Sequence, residues 1–321
     1  MKSIYSEEKW ANLQEKKEGG VLTTYVYENK YGKVIYRFIT KVAGIINDIT
    51  YYDIASYRGA QGPYIECDNI NSAKILIDEF IVDFTKYCNE KKVIAEFSKL
   101  DPWQKYAELI VEKCNAEYYG NYYCNDLTID FYHNEYNRRS KRSIKKAIDS
   151  GVTVKFDFEG KTIQQFLDLY KNTEDKFNTS EYYIFTEEDI IEYFTTFPGR
   201  CFFSNAYWNG EIITSVLSVL GEDIVHYLYL GTNPKFLEYQ ANSLLTYETA
   251  RLGKRMNRKI FDMGGGSPGG NIEQFKRNFI RESGVVKYYT VRKIYNRQIY
   301  NWLVEKRGSI KNEKFFPLYR G

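Results

Sequence analysis

The sequence predicts a mixed α+β fold, in which mostly antiparallel strands are flanked by helices. Two observations favour antiparallel pairing: a strand pattern turns back at Asn29–Gly32, and another turns at Asn209-Gly210. Helical spacing of apolar residues recurs between the strand patterns, without the strict strand–helix–strand alternation of a Rossmann fold. The chain has 321 residues, of which 43% are hydrophobic, so it can bury the core of one large domain or of two.

In the N-terminal part, strands are predicted where β-branched and aromatic residues alternate with polar ones, and helices where apolar residues recur every three to four positions. The predicted elements are strands at 21–30 and 33–41, a helix at Ala73–Asn89, a strand at Val93–Phe97, a helix beginning at Asp101–Pro102, and a strand at Asn125–Tyr132.

The C-terminal part continues the alternation, with helix starts at capping residues such as Thr186 and a helix end at Gly151. The predicted helices lie at Asn137–Ser150, Ile163–Phe177, Glu187–Thr195, Asn242–Met256, from Ile272 onward, and at Asn296–Lys306. The predicted strands lie at 152–156, 201–208, 211–220, 223–231, 259–263 and 287–293.

Composition excludes several classes of protein. The 45 basic and 42 acidic side chains give a net charge of +3, too balanced for a general polyanion binder. The chain has two histidines and five cysteines, and the cysteines are never spaced C-x-x-C. No metal site is therefore predicted, and the cysteines are expected to be reduced thiols. Acidic Glu7 and Glu8 stand where a signal peptide needs an apolar core, and no apolar run is long enough to span a bilayer. A soluble, cytoplasmic protein is therefore expected.

A basic helix is the first candidate for function. Its cations fall within three turns: Arg138, Arg139, Lys141, Arg142, Lys145 and Lys146. A narrow stripe that includes Ile144 and Ile148 is expected to dock the helix, and only Asp149 offsets the charge within it. Six close positive charges repel one another, so the pattern favours contact with phosphate groups over a merely solvated surface.

A glycine-rich loop after a buried strand is the second candidate. Five of the seven residues at 264–270 are glycine, beginning with Gly264-Gly265-Gly266, and Asp262 stands at the end of the preceding strand. Clustered glycines let main-chain atoms approach a ligand closely. The loop lacks the spacing of the Walker and Rossmann nucleotide motifs. Lys276 follows shortly and could hold an oxyanion, although an exposed helix charge is the favoured interpretation of this lysine taken alone.

Two further features have less specific patterns. Gln240–Leu245 enters a helix, whose first N–H groups could hold an anion, but ordinary capping by Asn242 or Ser243 is the favoured interpretation. His226 lies within a strand pattern and is interpreted as a packed residue rather than a base. The spacing of the Ser, Cys, His and Asp residues indicates no Ser-His-Asp or Cys-His catalytic set.

The order of these segments resembles a known family. RRSKRSIKKAIDSGV, HYLYLG, QANSLLTYETARLGKR, KIFDMGGG, EQFKRNFI and KIYNRQIYNWL follow one another as in the Fem-type aminoacyltransferases and their acyltransferase relatives of the GNAT superfamily. The resemblance covers most of the chain and is strongest from Arg138 to Leu303. It implies two GNAT-like lobes, one at 1–133 completed by 288–321, the other at 134–287.

The resemblance also implies roles for particular residues. Phe275 and Lys276 match the Phe-Lys pair that the family places near the reacting carbonyl, where Lys276 would stabilise the developing charge. Asp262, Tyr229 or the substrate itself would take the proton of the amine. Donor or precursor phosphates would be held by the basic helix, the glycine loop and the helix start: Arg138, Arg139, Arg142, Lys145, Gly264, Gly265, Gly266, Gln240 and Asn242.

The function implied is N-acyl or aminoacyl transfer to an amine of a cell-envelope precursor, an amino sugar or a peptidoglycan peptide, in the cytoplasm or at the inner face of the membrane. The donor is left open between acyl-CoA and aminoacyl-tRNA. The helical arm of some Fem proteins has no counterpart here, and QANSLL lacks the glycines of the usual pyrophosphate loop. The alternatives are a tRNA-dependent peptidoglycan bridge transferase and a non-catalytic glycan- or nucleic-acid-binding module.

Overall fold

A computed structural model describes residues 1–177, 184–266, 268–309, 312 and 315–321, with the side chains of 172–177 excepted. The helices are α1 (Glu8–Glu18), α2 (Ile70–Glu90), α3 (Ala107–Lys113), α4 (Phe131–Asn134), α5 (Arg138–Asp149), α6 (Ile163–Phe177), α7 (Glu187–Thr196), α8 (Ala241–Arg255), α9 (Asn271–Arg277) and α10 (Arg297–Arg307). The strands are β1 (Val21–Asn29), β2 (Gly32–Ile46), β3 (Ile49–Ala55), β4 (Tyr64–Glu66), β5 (Val93–Lys99), β6 (Glu117–Asp126), β7 (Thr153–Asp157), β8 (Cys201–Trp208), β9 (Glu211–Leu220), β10 (Ile224–Thr232), β11 (Ile260–Gly265) and β12 (Val285–Ile294). The predicted α+β class is confirmed.

The chain forms two compact units. Unit 1 consists of Met1–Ile4 with Gly120–Val286, and unit 2 of Tyr5–Tyr119 with Lys287–Gly321. The chain passes from one unit to the other between Ile4 and Tyr5, within β6 and again within β12.

Unit 2 has a sheet in the order β1-β2-β3-β5-β12, with β4 also paired to β2. β3 and β5 are parallel, and the other pairs are antiparallel. The hairpin predicted from the sequence is confirmed, since Asn29 pairs with Gly32 at its end. The Asn69 side chain caps α2, which buries an apolar face that includes Leu76, Phe80 and Phe84 in the core of this unit.

Unit 1 has a sheet in the order β6-β11-β10-β9-β8-β7. All of its pairs are antiparallel except β10 with β11, which are parallel. One core cluster joins the sheet to the buried faces of α5 and α8, with Ile144, Phe202, Val216, Leu245 and Phe261 among its members. This packing fixes where the basic helix and the start of α8 lie relative to the ends of the strands.

Three local predictions are wrong, each for an identifiable reason. No helix begins at Asp101–Pro102: the Asp101 side chain accepts a hydrogen bond from the Trp103 N–H at 2.9 Å in a local turn, and the helix begins at Ala107. The strand predicted at Asn125–Tyr132 ends at Asp126, whose side chain accepts from the Thr128 N–H, and α4 follows. Ile148, assigned to the docking stripe of the basic helix, is 54% exposed.

In the part of the chain that the structure describes, no helix combines the length and the apolar character needed to cross a membrane. All five cysteines are free thiols.

Candidate active site

The candidate site begins where the two parallel strands of unit 1 stop pairing. β10 and β11 are in register only from Ile224–Ile260 to His226–Asp262. Beyond that point, β10 has an irregularity between Tyr227 and Tyr229, and the pairing of β11 with β6 shifts between Asp262 and Gly265. The glycine triplet therefore lies at an opening in the sheet, where its main-chain groups are not all used in strand pairing.

Asp262 is buried at this opening, where it accepts hydrogen bonds from two elements; the residue is 1% exposed. Its Oδ1 accepts the Gly264 N–H at 2.7 Å, and its Oδ2 lies 3.1 Å from Nδ1 of His226. Nε2 of His226 accepts the Ile4 N–H at 3.4 Å, so the ring proton must be on Nδ1 and points to Asp262. The carboxylate thus holds the loop through Gly264, whose φ of +74° suits glycine.

Lys276 comes to the same opening from α9. Its Nζ donates a hydrogen bond to the Gly265 carbonyl at 2.6 Å, and a Cβ on Gly264 would lie 3.6 Å from that nitrogen. Burial lowers the pKa of Lys276 to about 8, and the charge of Asp262 opposes that lowering. At pH 7 the amine is therefore mostly protonated, and it can stabilise a negative oxygen.

A second acidic residue fixes the far end of the glycine loop. Glu273 accepts the Gly269 N–H at 2.6 Å and the Arg277 Nε–H at 2.7 Å. The Arg277 guanidinium and the Gly269 N–H hold the pKa of Glu273 below its usual value. Glu273 is not among the residues predicted from the sequence, although its i,i+4 spacing to Arg277 indicates an ion pair on α9.

A cavity of about 280 Å³ lies next to this loop within unit 1. The first turns of three helices, α5, α8 and α9, contribute to its wall. Its lining residues include Arg139, Ser143, Gln240, Ser243, Asn271, Gln274 and Phe275. N–H groups in the first turn of a helix have no intrahelical acceptor and carry partial positive charge. In α5 the Asn137 side chain already accepts the Arg139 and Ser140 N–H groups. The starts of α8 and α9 have no side-chain cap, and together with the Arg139 guanidinium they make the cavity suited to an anion such as a phosphate group.

The start of α8 differs from the favoured sequence interpretation. Neither Asn242 nor Ser243 caps the helix, which has no side-chain cap. The Oδ1 of Asn242 instead accepts hydrogen bonds from Thr214 and Thr232, at 2.6 and 3.0 Å. Gln240 takes a left-handed conformation with φ of 57°, so its side chain lies at the cavity rather than over the helix end.

The basic helix supplies one cation to the cavity and keeps the others on the surface. Arg139 lines the cavity, whereas Arg138, Arg142 and Lys145 are exposed and are not part of its wall. Lys145 forms an ion pair with Asp149 at 3.0 Å, which is the offset expected from the sequence. The structure thus brings together Arg139, Gln240 and Phe275 of the predicted phosphate-binding and catalytic residues.

Phe275 lines the cavity and precedes Lys276 in α9. Its ring packs against Phe279 at a centroid distance of 4.9 Å. Tyr229 belongs to a different, aromatic group: its hydroxyl is 3.3 Å from that of Tyr193, and its ring packs against Phe185 at 4.6 Å. Within the described residues, no group of three or more His, Cys, Asp or Glu side chains could hold a metal ion.

Residues 134–277 match the family model described as an acetyltransferase (GNAT) domain. No curated protein is similar enough in sequence to count as a relative. Among solved structures, FemX is similar with a TM-score of 0.67 and 12% identity, covering 94% of each chain. The C-terminal domain of a putative lysylphosphatidylglycerol synthetase from Agrobacterium fabrum gives a TM-score of 0.57 and 11% identity, covering 93% of this chain and 89% of that one.

A tandem GNAT protein from the clavulanic acid biosynthesis pathway has a TM-score of 0.50 and 7% identity, over 92% of this chain and 98% of its own. These likenesses confirm the expected fold of two GNAT-like lobes. At such low identity they concern the fold, and the roles of the site residues stay predictions.

Proposed function

We propose that this chain is a Fem-type acyltransferase of the GNAT superfamily, which transfers an acyl or aminoacyl group to an amine of a cell-envelope precursor. The match of residues 134–277 to the GNAT domain model and the likeness of the fold to FemX support this proposal. The observation that carries the proposal is the Lys276 ammonium at the opening between β10 and β11, beside a cavity suited to phosphate. The likeness to FemX and to a lysylphosphatidylglycerol synthetase domain supports an envelope acceptor.

The chemistry is attack of a neutral amine on the carbonyl carbon of a thioester or an ester. The carbonyl oxygen becomes negative as the new C–N bond forms, and Lys276 supplies the positive charge that stabilises it. The C–S or C–O bond then breaks, and the leaving group can accept the proton that the amine gives up. Both Asp262 oxygens already accept hydrogen bonds, from Gly264 and His226, so Asp262 serves to position the loop.

The cavity supports a role in holding the phosphates of one substrate, either the donor or a nucleotide- or lipid-linked acceptor. Orienting both reactants supplies much of the rate enhancement of such a transfer, which explains why no catalytic triad is needed. Gly264, Gly265 and Gly266 would keep this region open to the carbonyl, and Phe275 would form the wall between the phosphates and the reacting group.

The proposal is tested by incubating the purified chain with acyl-CoA or charged tRNA as donor, and with amino-sugar nucleotides or peptidoglycan peptides as acceptor. Mass spectrometry should detect a new amide on one acceptor. Absence of transfer from every donor to every amine would contradict the proposal and leave the non-catalytic binding module.

The Arg139→Ala variant should bind phosphates more weakly, because the cavity then loses its guanidinium. We expect the inhibition constant of inorganic pyrophosphate to rise about tenfold or more, with little change in kcat. Lys146→Ala is the matched control, since it removes an exposed charge from the same helix away from the cavity. Equal effects of the two substitutions would show that only the general charge of α5 matters.

A second candidate donor, aminoacyl-tRNA, is favoured by the exposed cations of α5. If tRNA lies along this helix, several phosphates are neutralised, and binding should weaken steeply as salt is raised. Filter binding between about 50 and 200 mM salt measures the slope. Arg138→Ala and Arg142→Ala should each reduce it, whereas a flat response in the parent protein would exclude tRNA as the partner of this surface.

A further inference from the structure

Unit 2 contains a small cavity that the transfer reaction does not use. Its volume is about 100 Å³, and its wall includes Tyr36, Phe84, Glu96, Lys293 and Tyr295. A cavity of about 10–15 Å³ can hold one water molecule, so this cavity has room for several waters or for one small organic molecule. Asn115, which is exposed, marks its side toward the solvent.

Glu96 brings an acidic side chain to this cavity. The residue is 5% exposed, and its oxygens accept hydrogen bonds from Tyr36 at 2.7 Å, Ser98 at 3.1 Å and Tyr295 at 2.6 Å. The Tyr36 and Ser98 hydroxyls also hydrogen-bond to each other, so one of them donates to Glu96 at a time. With Tyr295 as the second donor, about two of the four acceptor positions of the carboxyl group stay unused. Within the described residues, Glu96 has no ion pair with lysine or arginine, although buried charges are usually paired.

Lys293 brings the opposite charge to the same cavity. It lies directly across from Glu96 in the register of β5 and β12, where side chains are close enough to pair. Its Nζ instead donates to Thr85 Oγ1 at 3.0 Å and lies 4.7 Å from the Tyr295 ring centroid. An ammonium has three hydrogens, so two remain for another acceptor. Two opposite charges thus line one cavity without contacting each other.

Apart from Lys113 at its edge, the remaining walls of the cavity are apolar or neutral. Phe80 stacks on Phe84 with centroids 5.3 Å apart, and both rings line the cavity. Burial and the nearby charge of Glu96 raise the pKa of Cys114 to about 12, so its thiol adds no negative charge. The ammonium of Lys113 at the edge is already paired with Asp78 at 2.7 Å. The charged groups available to a ligand in this cavity are therefore the carboxyl group of Glu96 and the ammonium of Lys293.

We propose that this cavity binds a small α-amino acid as its zwitterion, with the ligand's ammonium on Glu96 and its carboxylate on Lys293. A simple amine would leave Lys293 without an anion, and a simple carboxylate would add a second negative charge beside Glu96. A zwitterion satisfies both groups, and a short apolar side chain fits against Phe80 and Phe84. The site is independent of the proposed transfer reaction.

Isothermal titration calorimetry of the full chain tests the proposal with four probes: L-alanine, N-acetyl-L-alanine, propylamine and propionate. We expect L-alanine to bind with one site per chain and at least about tenfold more tightly than the other three, since each of them lacks one charged hydrogen bond. No heat with L-alanine, or equal binding of all four, would overturn the proposal without any variant being needed.

Two substitutions then locate the site. Glu96→Gln and Lys293→Met should each weaken L-alanine binding about tenfold or more. Glu90→Gln and Lys86→Met, which alter an exposed pair on α2, are matched controls and should leave binding unchanged. Circular dichroism checks that each variant is folded. Retained affinity in a folded Glu96→Gln or Lys293→Met variant would place any alanine site elsewhere and overturn the assignment.

Discussion

The Lys276→Ala variant is expected to fold normally and to lose about 10²–10³-fold in kcat, as when one oxyanion donor is removed from an active site. The loss should fall on kcat more than on KM, because the ammonium gains its interaction only when the carbonyl oxygen becomes negative. Folding should be retained, since the Gly265 carbonyl that Lys276 contacts can be hydrated at the opening. Single-turnover kinetics with the identified donor measure the effect on the chemical step.

Lys287→Ala removes an exposed lysine and is the control for charge alone. A Lys276→Met variant separates charge from side-chain bulk, because methionine fills much of the same space without the ammonium. Full activity of the alanine and methionine variants would remove Lys276 from the mechanism. In the parent enzyme, the rate should fall above pH about 8, where Lys276 loses its proton, and this fall should disappear in both variants.

The Asp262→Asn substitution should lower the free energy of unfolding, and it should also lower the pH above which activity falls. The new amide can still accept the Gly264 N–H through its oxygen, but its NH₂ group then faces the Nδ1–H of His226. If the ring changes tautomer, the Ile4 N–H loses its acceptor instead. One buried hydrogen bond is lost either way, which costs about 1–3 kcal/mol of the free energy of unfolding.

The effect of Asp262→Asn on pH dependence has a defined sign. The charge of Asp262 raises the pKa of Lys276, so its removal lowers that pKa and moves the alkaline fall in activity to a pH below about 8. Denaturant unfolding and a pH–rate profile check the two parts separately. Asp149→Asn, which removes an exposed carboxylate of the same unit, should change neither. An unmoved pH profile would mean that Asp262 does not act on Lys276.

Most of the fold could be predicted because its signals are local. Asn137 and Thr186 cap helices where the sequence placed their starts, and Asn29–Gly32 closes the predicted hairpin. The errors also have local causes, since Asp101 and Asp126 use their side chains to bond the backbone and so compete with regular structure. The helix start is predicted from the Asp101-Pro102 pair, and the strand through Tyr132 from alternating apolar residues.

The site could be predicted only in part. The resemblance put Lys276 beside the glycine loop, and the structure places its amine on Gly265. Sequence patterns could not show that His226 contacts Ile4, because the two residues are separated by 222 positions. Nor could they show that the starts of three helices meet at one cavity with Arg139, since that depends on how α5, α8 and α9 pack.

The central claim is that the Lys276 ammonium holds the carbonyl oxygen of the donor at the glycine opening. A crystal structure with an unreactive analogue of the confirmed donor measures it directly. The account predicts a carbonyl oxygen about 3 Å from Nζ of Lys276, with Asp262 still holding Gly264. A carbonyl bound elsewhere, with Nζ still donating to the Gly265 oxygen, would contradict it.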